Sequence, residues 1–258
     1  MDVNLKLWKA VFLHPVYTNK MFSYSSGRTL FKEISNNMIS HQIEEAIGRC
    51  GHIALVELAE VHEQNVNFST KLMDSAARGG HLDLVKWLHD NRSDGCTTDA
   101  MDSAAMEGHL SVVEWLHAHR AEGCSSIAMD SAAQNGALAV VEWLHTHRSE
   151  GCTKQAMDWA AREGHLLVVE WLHHHRFEGC TTWAMDFAAE KGHLLVVEWL
   201  HSHRSEGCTS WAMGYAARAG HRAVVEWLQS HRSENDIDQA TRIAQGHLSL
   251  IQSLQARR

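Results

Sequence analysis

Between Lys71 and Asn235 one 28-residue unit recurs six times. A unit this short cannot bury its own apolar face and must stack on its neighbours, which excludes two ordinary globular domains. The beat is kept by Gly80-His81, Gly108-His109, Gly164-His165, Gly192-His193 and Gly220-His221, with Gly136-Ala137 in the remaining copy. Trp87, Trp115, Trp143, Trp171, Trp199 and Trp227 fall at the same interval. Looser copies around Gly51-His52 and Gly246-His247 bring the count to eight units, the outer two reading as caps. The expected organisation is a cap or extension over residues 1–40, where Leu5, Leu7, Trp8, Val11 and Phe12 are apolar, followed by one elongated array over 41–258.

Charge narrows the function. The formal net charge is -8, from 23 basic and 31 acidic residues interspersed within every unit, which argues against nucleic acid as partner. No apolar run approaches the roughly 20 residues of a membrane helix, and charges stand where a signal peptide would be apolar. A monomeric, intracellular and cytoplasmic protein is therefore expected. Cys96, Cys124, Cys152, Cys180 and Cys208 occupy one position of successive units. Packed helices lie about 8 to 10 Å apart, beyond the roughly 4.4 to 6.8 Å that a disulfide needs between Cα atoms, so these read as small buried thiols. Close C-x2-C pairs of the kind zinc favours are missing, and no metal or cofactor is expected.

The unit from Thr181 to Cys208 can be assigned from local chemistry. Thr181 fits an N-cap, as do Ser69, Thr97, Ser125, Thr153 and Thr209 at the same place. A short first helix follows, with Ala184, Met185, Ala188 and Ala189 as a narrow stripe of small side chains. Gly192 supplies the turn, and His193 opens a second helix whose Leu194, Val196, Val197, Trp199 and Leu200 form the main apolar face. That helix ends near Arg204, where basic residues suit the negative end of the dipole, and Glu206-Gly207 turns the chain into the next copy.

The resulting motif, A-M-D-x-A-A-x-x-G-H-L-x-V-V-E-W-L, resembles the ankyrin repeat, matching its Ala-Ala, Gly-His and Val-Val-x-x-Leu elements in register from Lys71 to Leu228. The resemblance implies an all-α, ankyrin-like solenoid of stacked helix-turn-helix repeats that binds a protein and performs no chemistry. Departures are Ala184, Met185 and Asp186 where the family has Pro, Leu and His, and a loop shorter than the family period of about 33 residues implies. The finger hairpin is therefore expected to be a tight turn. Short Trp-Leu-His units also resemble divergent arrays of some eukaryotic microbes and their large viruses, which keeps an alternative open: an effector-like factor that captures a host protein and redirects it.

Comparison of the copies locates a variable face. The first helices differ at Lys71, Asp99, Ile127, Gln155, Trp183 and Trp211, then at Ser75, Ser103, Ser131, Trp159, Phe187 and Tyr215. They differ again at Arg78, Met106, Gln134, Arg162, Glu190 and Arg218, and the spacings of four and three put all three positions on one helical face. By the resemblance, this is where a partner binds. The later copies collect Trp159, Trp183, Phe187, Trp211 and Tyr215, with Arg162, Glu190 and Arg218 as a polar rim suited to a peptide with apolar anchors. If the aromatics instead fill space left by the missing fingers, Trp183 and Trp211, nearest the helix start, are the ones expected to be buried.

The 21 histidines fall mostly into ladders at the period of the repeat, which argues against a shared metal and for a response to pH: protonating all of them moves the formal charge from -8 to +13. Loosening of the array, or a change of partner, is expected near pH 5 to 6. Arg92, Arg120, Arg148, Arg176, Arg204 and Arg232 each precede an acid by two residues, an ion-pair ladder rather than a phosphate track. Since Cys, His, Asp and Glu recur in every copy, no singular constellation marks a catalytic centre.

Overall fold

The computed structural model describes residues 40–62 and 68–231, and every element of secondary structure among them is an α-helix. The expectations for residues 1–39 and for the unit around Gly246-His247 lie outside the described residues. The chain divides into two compact units, Met1–Ser125 and Ser126–Arg258. The first holds α1 (Ser40–Cys50), α2 (Ile53–His62), α3 (Thr70–Arg78), α4 (Leu82–Asn91), α5 (Thr98–Met106) and α6 (Leu110–His119). The second holds α7 (Ser126–Gln134), α8 (Leu138–His147), α9 (Lys154–Arg162), α10 (Leu166–His175), α11 (Thr182–Lys191), α12 (Leu194–His203), α13 (Ser210–Ala219) and α14 (Arg222–His231). In the first unit α1 packs on α3 and α3 on α5; in the second α7, α9, α11 and α13 pack in succession, each followed by its own second helix.

Local chemistry sets each boundary. Ser69, Thr97, Thr153, Thr181 and Thr209 stand in extended backbone, and the hydroxyl of each accepts from the amide two residues on, capping α3, α5, α9, α11 and α13. Gly192 ends α11 at φ 82°, a left-handed conformation that favours glycine, and its N–H reaches back to the carbonyls of Ala188 and Ala189. No strand forms among the described residues, so the finger position is a turn, as the short period implies.

The core is shared between both helices of a repeat rather than carried by the second alone. In the second unit Ala184, Met185, Ala188 and Ala189 are buried together with Val196, Val197 and Leu200. Small Ala side chains let successive first helices come close, while each buried Val or Leu contributes about 1.5 to 3 kcal/mol. Trp199 is only half-buried, which corrects its expected place in the core. Its ring is a platform instead: His203 stacks on it at 4.4 Å between centroids, and His173 of the preceding repeat meets it edge-on at 5.2 Å.

Three polar devices join successive repeats. A buried Asp in the first helix takes the cap of the next one. Asp158 accepts from the Thr181 amide at 2.7 Å and its hydroxyl at 2.8 Å, and Asp130 does the same for Thr153 and Asp186 for Thr209. In the first unit Asp74 holds Thr97, Asp102 holds Ser125, and Glu44 holds Ser69. Burial pushes the carboxyls of Asp74, Asp130 and Asp158 above their ordinary value, against the opposing pull of those hydrogen bonds.

The second device is the Gly-His step. The histidine stands just ahead of the second helix, not within it, and makes no cap bond. Its ring lies over the glycine turn of the repeat before: a Cβ on Gly136 would stand 2.6 Å from His165, and one on Gly164 2.7 Å from His193. His81 adds a hydrogen bond from Nε2 to the Arg49 carbonyl at 2.8 Å. The third device is the arginine ladder. Arg120, Arg148, Arg176 and Arg204 pair locally with Glu122, Glu150, Glu178 and Glu206. Arg176 and Arg204 also lie against the Gly151 and Gly179 turns of the preceding repeats.

Candidate functional site

The first helices of the second unit place the variable residues. Because Thr181 caps α11 by accepting from the Trp183 amide at 3.1 Å, Trp183 leaves the first turn at a fixed angle. Thr209 does the same for Trp211. Both indoles emerge into solvent, Trp183 at 57% and Trp211 at 53% exposure. This sets aside the alternative in which these two are buried fillers: among the described residues no finger or neighbouring helix closes over the first turn. Trp159, Phe187 and Tyr215, one helical turn further along their helices, are half-buried.

The structure brings these residues together in two similar clusters. Trp183 and Phe187 lie 5.8 Å apart at 55°, and Arg162 of the preceding repeat reaches over Phe187, its Cζ 5.5 Å from the ring centre. Trp211 and Tyr215 lie 5.7 Å apart at 71°, with the Cζ of Arg218 4.7 Å from the tyrosine ring. Glu190 ties the clusters together, meeting the Arg218 guanidinium at 3.5 Å, while Arg162 meets Glu163 at 3.5 Å. Arginine over an aromatic face contributes about 0.5 to 1 kcal/mol at exposed sites and holds the ring without covering its open edge. Trp159 sits at the Phe187 and Tyr215 register one repeat earlier. The buried Ala184, Ala188 and Ala189 face the stack, so the aromatic face is free of that packing duty.

Three further exposed apolar residues lie outside the first-helix face. Leu167 and Leu195, at the start of α10 and α12, are 70% and 69% exposed, and Phe177 in the turn after α10 is fully exposed. The signal was present: the same positions carry Asp83, Ser111 and Ala139, or Ser93, Ala121 and Ser149, in earlier copies.

Burial pushes the thiols of Cys96 and Cys152 up to about 11 and that of Cys180 to about 12, so they stay protonated and weakly nucleophilic at neutral pH. The hydrogen bond from Arg148 holds the Glu150 carboxyl below its ordinary value, and Arg204 does the same for Glu206. Among the described residues no group of three or more His, Cys, Asp or Glu is placed to hold a metal ion. No described helix is long and apolar enough to cross a membrane.

The family model described as ankyrin repeats (many copies) matches residues 73–117, 101–145 and 185–229. Comparison with the curated proteins finds no match.

Proposed function

Because its repeats are those of the ankyrin repeat family, we propose that the chain is a non-catalytic binding module that takes a protein partner on the variable face of its first helices. Ankyrin repeats in general are protein–protein interaction modules. The partner-binding residues are Trp159, Arg162, Trp183, Phe187, Glu190, Trp211, Tyr215 and Arg218. The observation that carries the reading is the exposure of two large indoles at one register of successive helices, each steadied by a second aromatic ring. Trp and Tyr dominate binding hot spots because they bury about 150 to 250 Å² each at low entropic cost. An intracellular monomer that does not bind nucleic acid is part of the same reading, since the ladder arginines are neutralised by their glutamates.

The test is affinity capture from native lysate, with partners identified by mass spectrometry. Wild type is compared with W183A/W211A, and with L167A/L195A as a control that removes exposed apolar surface elsewhere. Loss of specific partners in the first variant alone is the expected result. Retention of all partners by W183A/W211A refutes the assignment of this face.

A further inference from the structure

Two sets of second-helix histidines face a neighbouring repeat, and they stand in opposite hydrogen-bonding states. Arg204 Nη1 lies 3.3 Å from His173 Nδ1, Arg176 Nη1 3.4 Å from His145 Nδ1, and Arg120 Nη1 3.3 Å from His89 Nδ1. A guanidinium only donates, so each of these Nδ1 atoms can only accept, which an imidazole does with its proton on Nε2. His119, His175 and His203 instead place Nδ1 2.8 to 2.9 Å from the carbonyls of Trp115, Trp171 and Trp199. A carbonyl only accepts, so these Nδ1 atoms already donate. Each such ring stacks on its tryptophan at 4.4 Å.

Proton uptake therefore acts differently on the two sets. On His203 a second proton at Nε2 leaves the Trp199 bond intact and places a cation over an indole face. On His173 it must go to Nδ1, which destroys the acceptor and leaves two cations about 3.3 Å apart. We infer that the contacts His89–Arg120, His145–Arg176 and His173–Arg204 form an acid-sensitive latch between repeats, closed when the imidazole is neutral and opened by its protonation.

The surroundings of each latch decide its sign. Around His173 stand Trp199 and His203 on α12, with His203 at 6.2 Å between ring centres, His174 on its own helix at 5.0 Å, and Arg204 and Glu206 in the following turn. Glu206 is the one acid in this set, and its hydrogen bond goes to Arg204, not to the imidazole. Around His145 the matching groups are Trp171, His175, Arg176 and Glu178; around His89 they are Trp115, His119, Arg120 and Glu122. Burial, with added repulsion from Arg204, His174 and His203, holds His173 below its ordinary value. A lowered imidazole binds fewer protons folded than unfolded, so its contribution is intact at neutral pH and stability falls as pH drops below about 6.5. The carboxyls of Asp74, Asp130 and Asp158 shift with the opposite sign and belong equally to wild type and variant.

The test uses the full chain. Melting temperatures are followed by circular dichroism at pH 7.5 and 5.5 for wild type and for H89Q/H145Q/H173Q, in which glutamine can accept from arginine but cannot take up a proton. Wild type is expected to lose about 5 °C or more over this interval, and the variant less than half of that. An unchanged wild-type melting temperature, or an equal loss in the variant, overturns the latch. If the variant does not fold, titration of the wild-type His173 ring by NMR decides: a midpoint below 6.5 is required, and one at or above it overturns the inference.

Discussion

Asp158 offers the sharpest test of how the stack is held. Its carboxylate is 3% exposed and takes two hydrogen bonds from one residue of the next repeat, the Thr181 amide at 2.7 Å and the hydroxyl at 2.8 Å. Hydrogen bonds to a charged group contribute about 1.5 kcal/mol each at the low end, giving about 3 kcal/mol for the pair. Removing the carboxylate also relieves its desolvation, the effect that raises its pKa, and water can reach part of the half-exposed Thr181. Asp158→Ala should therefore cost about 2 kcal/mol. Asp158→Asn keeps an acceptor for the amide and should cost about 1 kcal/mol or less. Urea unfolding of the full chain reads the cost, and amide exchange at Thr181 localises it, because a stacked array responds at the junction that was cut. An alanine variant within about 0.5 kcal/mol of wild type, or an asparagine variant as damaged as the alanine one, would refute the clamp.

Gly164→Ala and Gly220→Ala make an informative pair, since both glycines have φ near +82°, and a new Cβ stands 2.7 Å from the next histidine ring at Gly164 while none of the described residues comes within 4 Å of one at Gly220. Both should lose about 1 to 2 kcal/mol to the backbone, with a further loss at Gly164 measurable by thermal unfolding; equal costs would remove the Gly-His contact from the account. The thiols of Cys96, Cys152 and Cys180, raised to about 11 or 12, should resist iodoacetamide at pH 8 in the folded chain and react within minutes in urea, as followed by intact mass. Rapid modification of Cys180 in the native protein would show that its thiol is open to solvent in the folded chain.

The period carried most of the fold because stacking repeats share one solution: the cap hydroxyls, the Ala-Ala stripe, the turn glycine and the Val-Val-x-x-Leu face each appear where local chemistry puts them. What the period could not reveal is which repeat a side chain serves. Asp186 reads as a departure from the family pattern until its carboxylate is seen on Thr209, 23 residues away. Trp199 looks like core because its helix face is apolar, yet it is the floor for a histidine stack. For Trp183 and Trp211 the sequence left an exposed and a buried reading open for a related reason: position within a helix does not state whether anything lies above it, and here nothing among the described residues covers the first turn.

Constant and variable positions are interleaved on the same helix, which is what lets one stack carry different faces. In α11 the buried Asp186 stands between Trp183 and Phe187, tied to the next repeat while both aromatics turn outward. The earlier copies keep the Asp and replace the aromatics, with Asp74 or Asp102 beside Lys71 and Ser75 or Asp99 and Ser103. Stability and binding should thus separate by mutation. Trp183→Ala, at 57% exposure, should change the unfolding midpoint by no more than about 0.5 kcal/mol while removing the partner; Asp186→Ala should cost about 2 kcal/mol and leave the free indoles in place. If Trp183→Ala proves as destabilising as Asp186→Ala, the indole is packing after all, and the first-helix face loses its claim to be the binding surface.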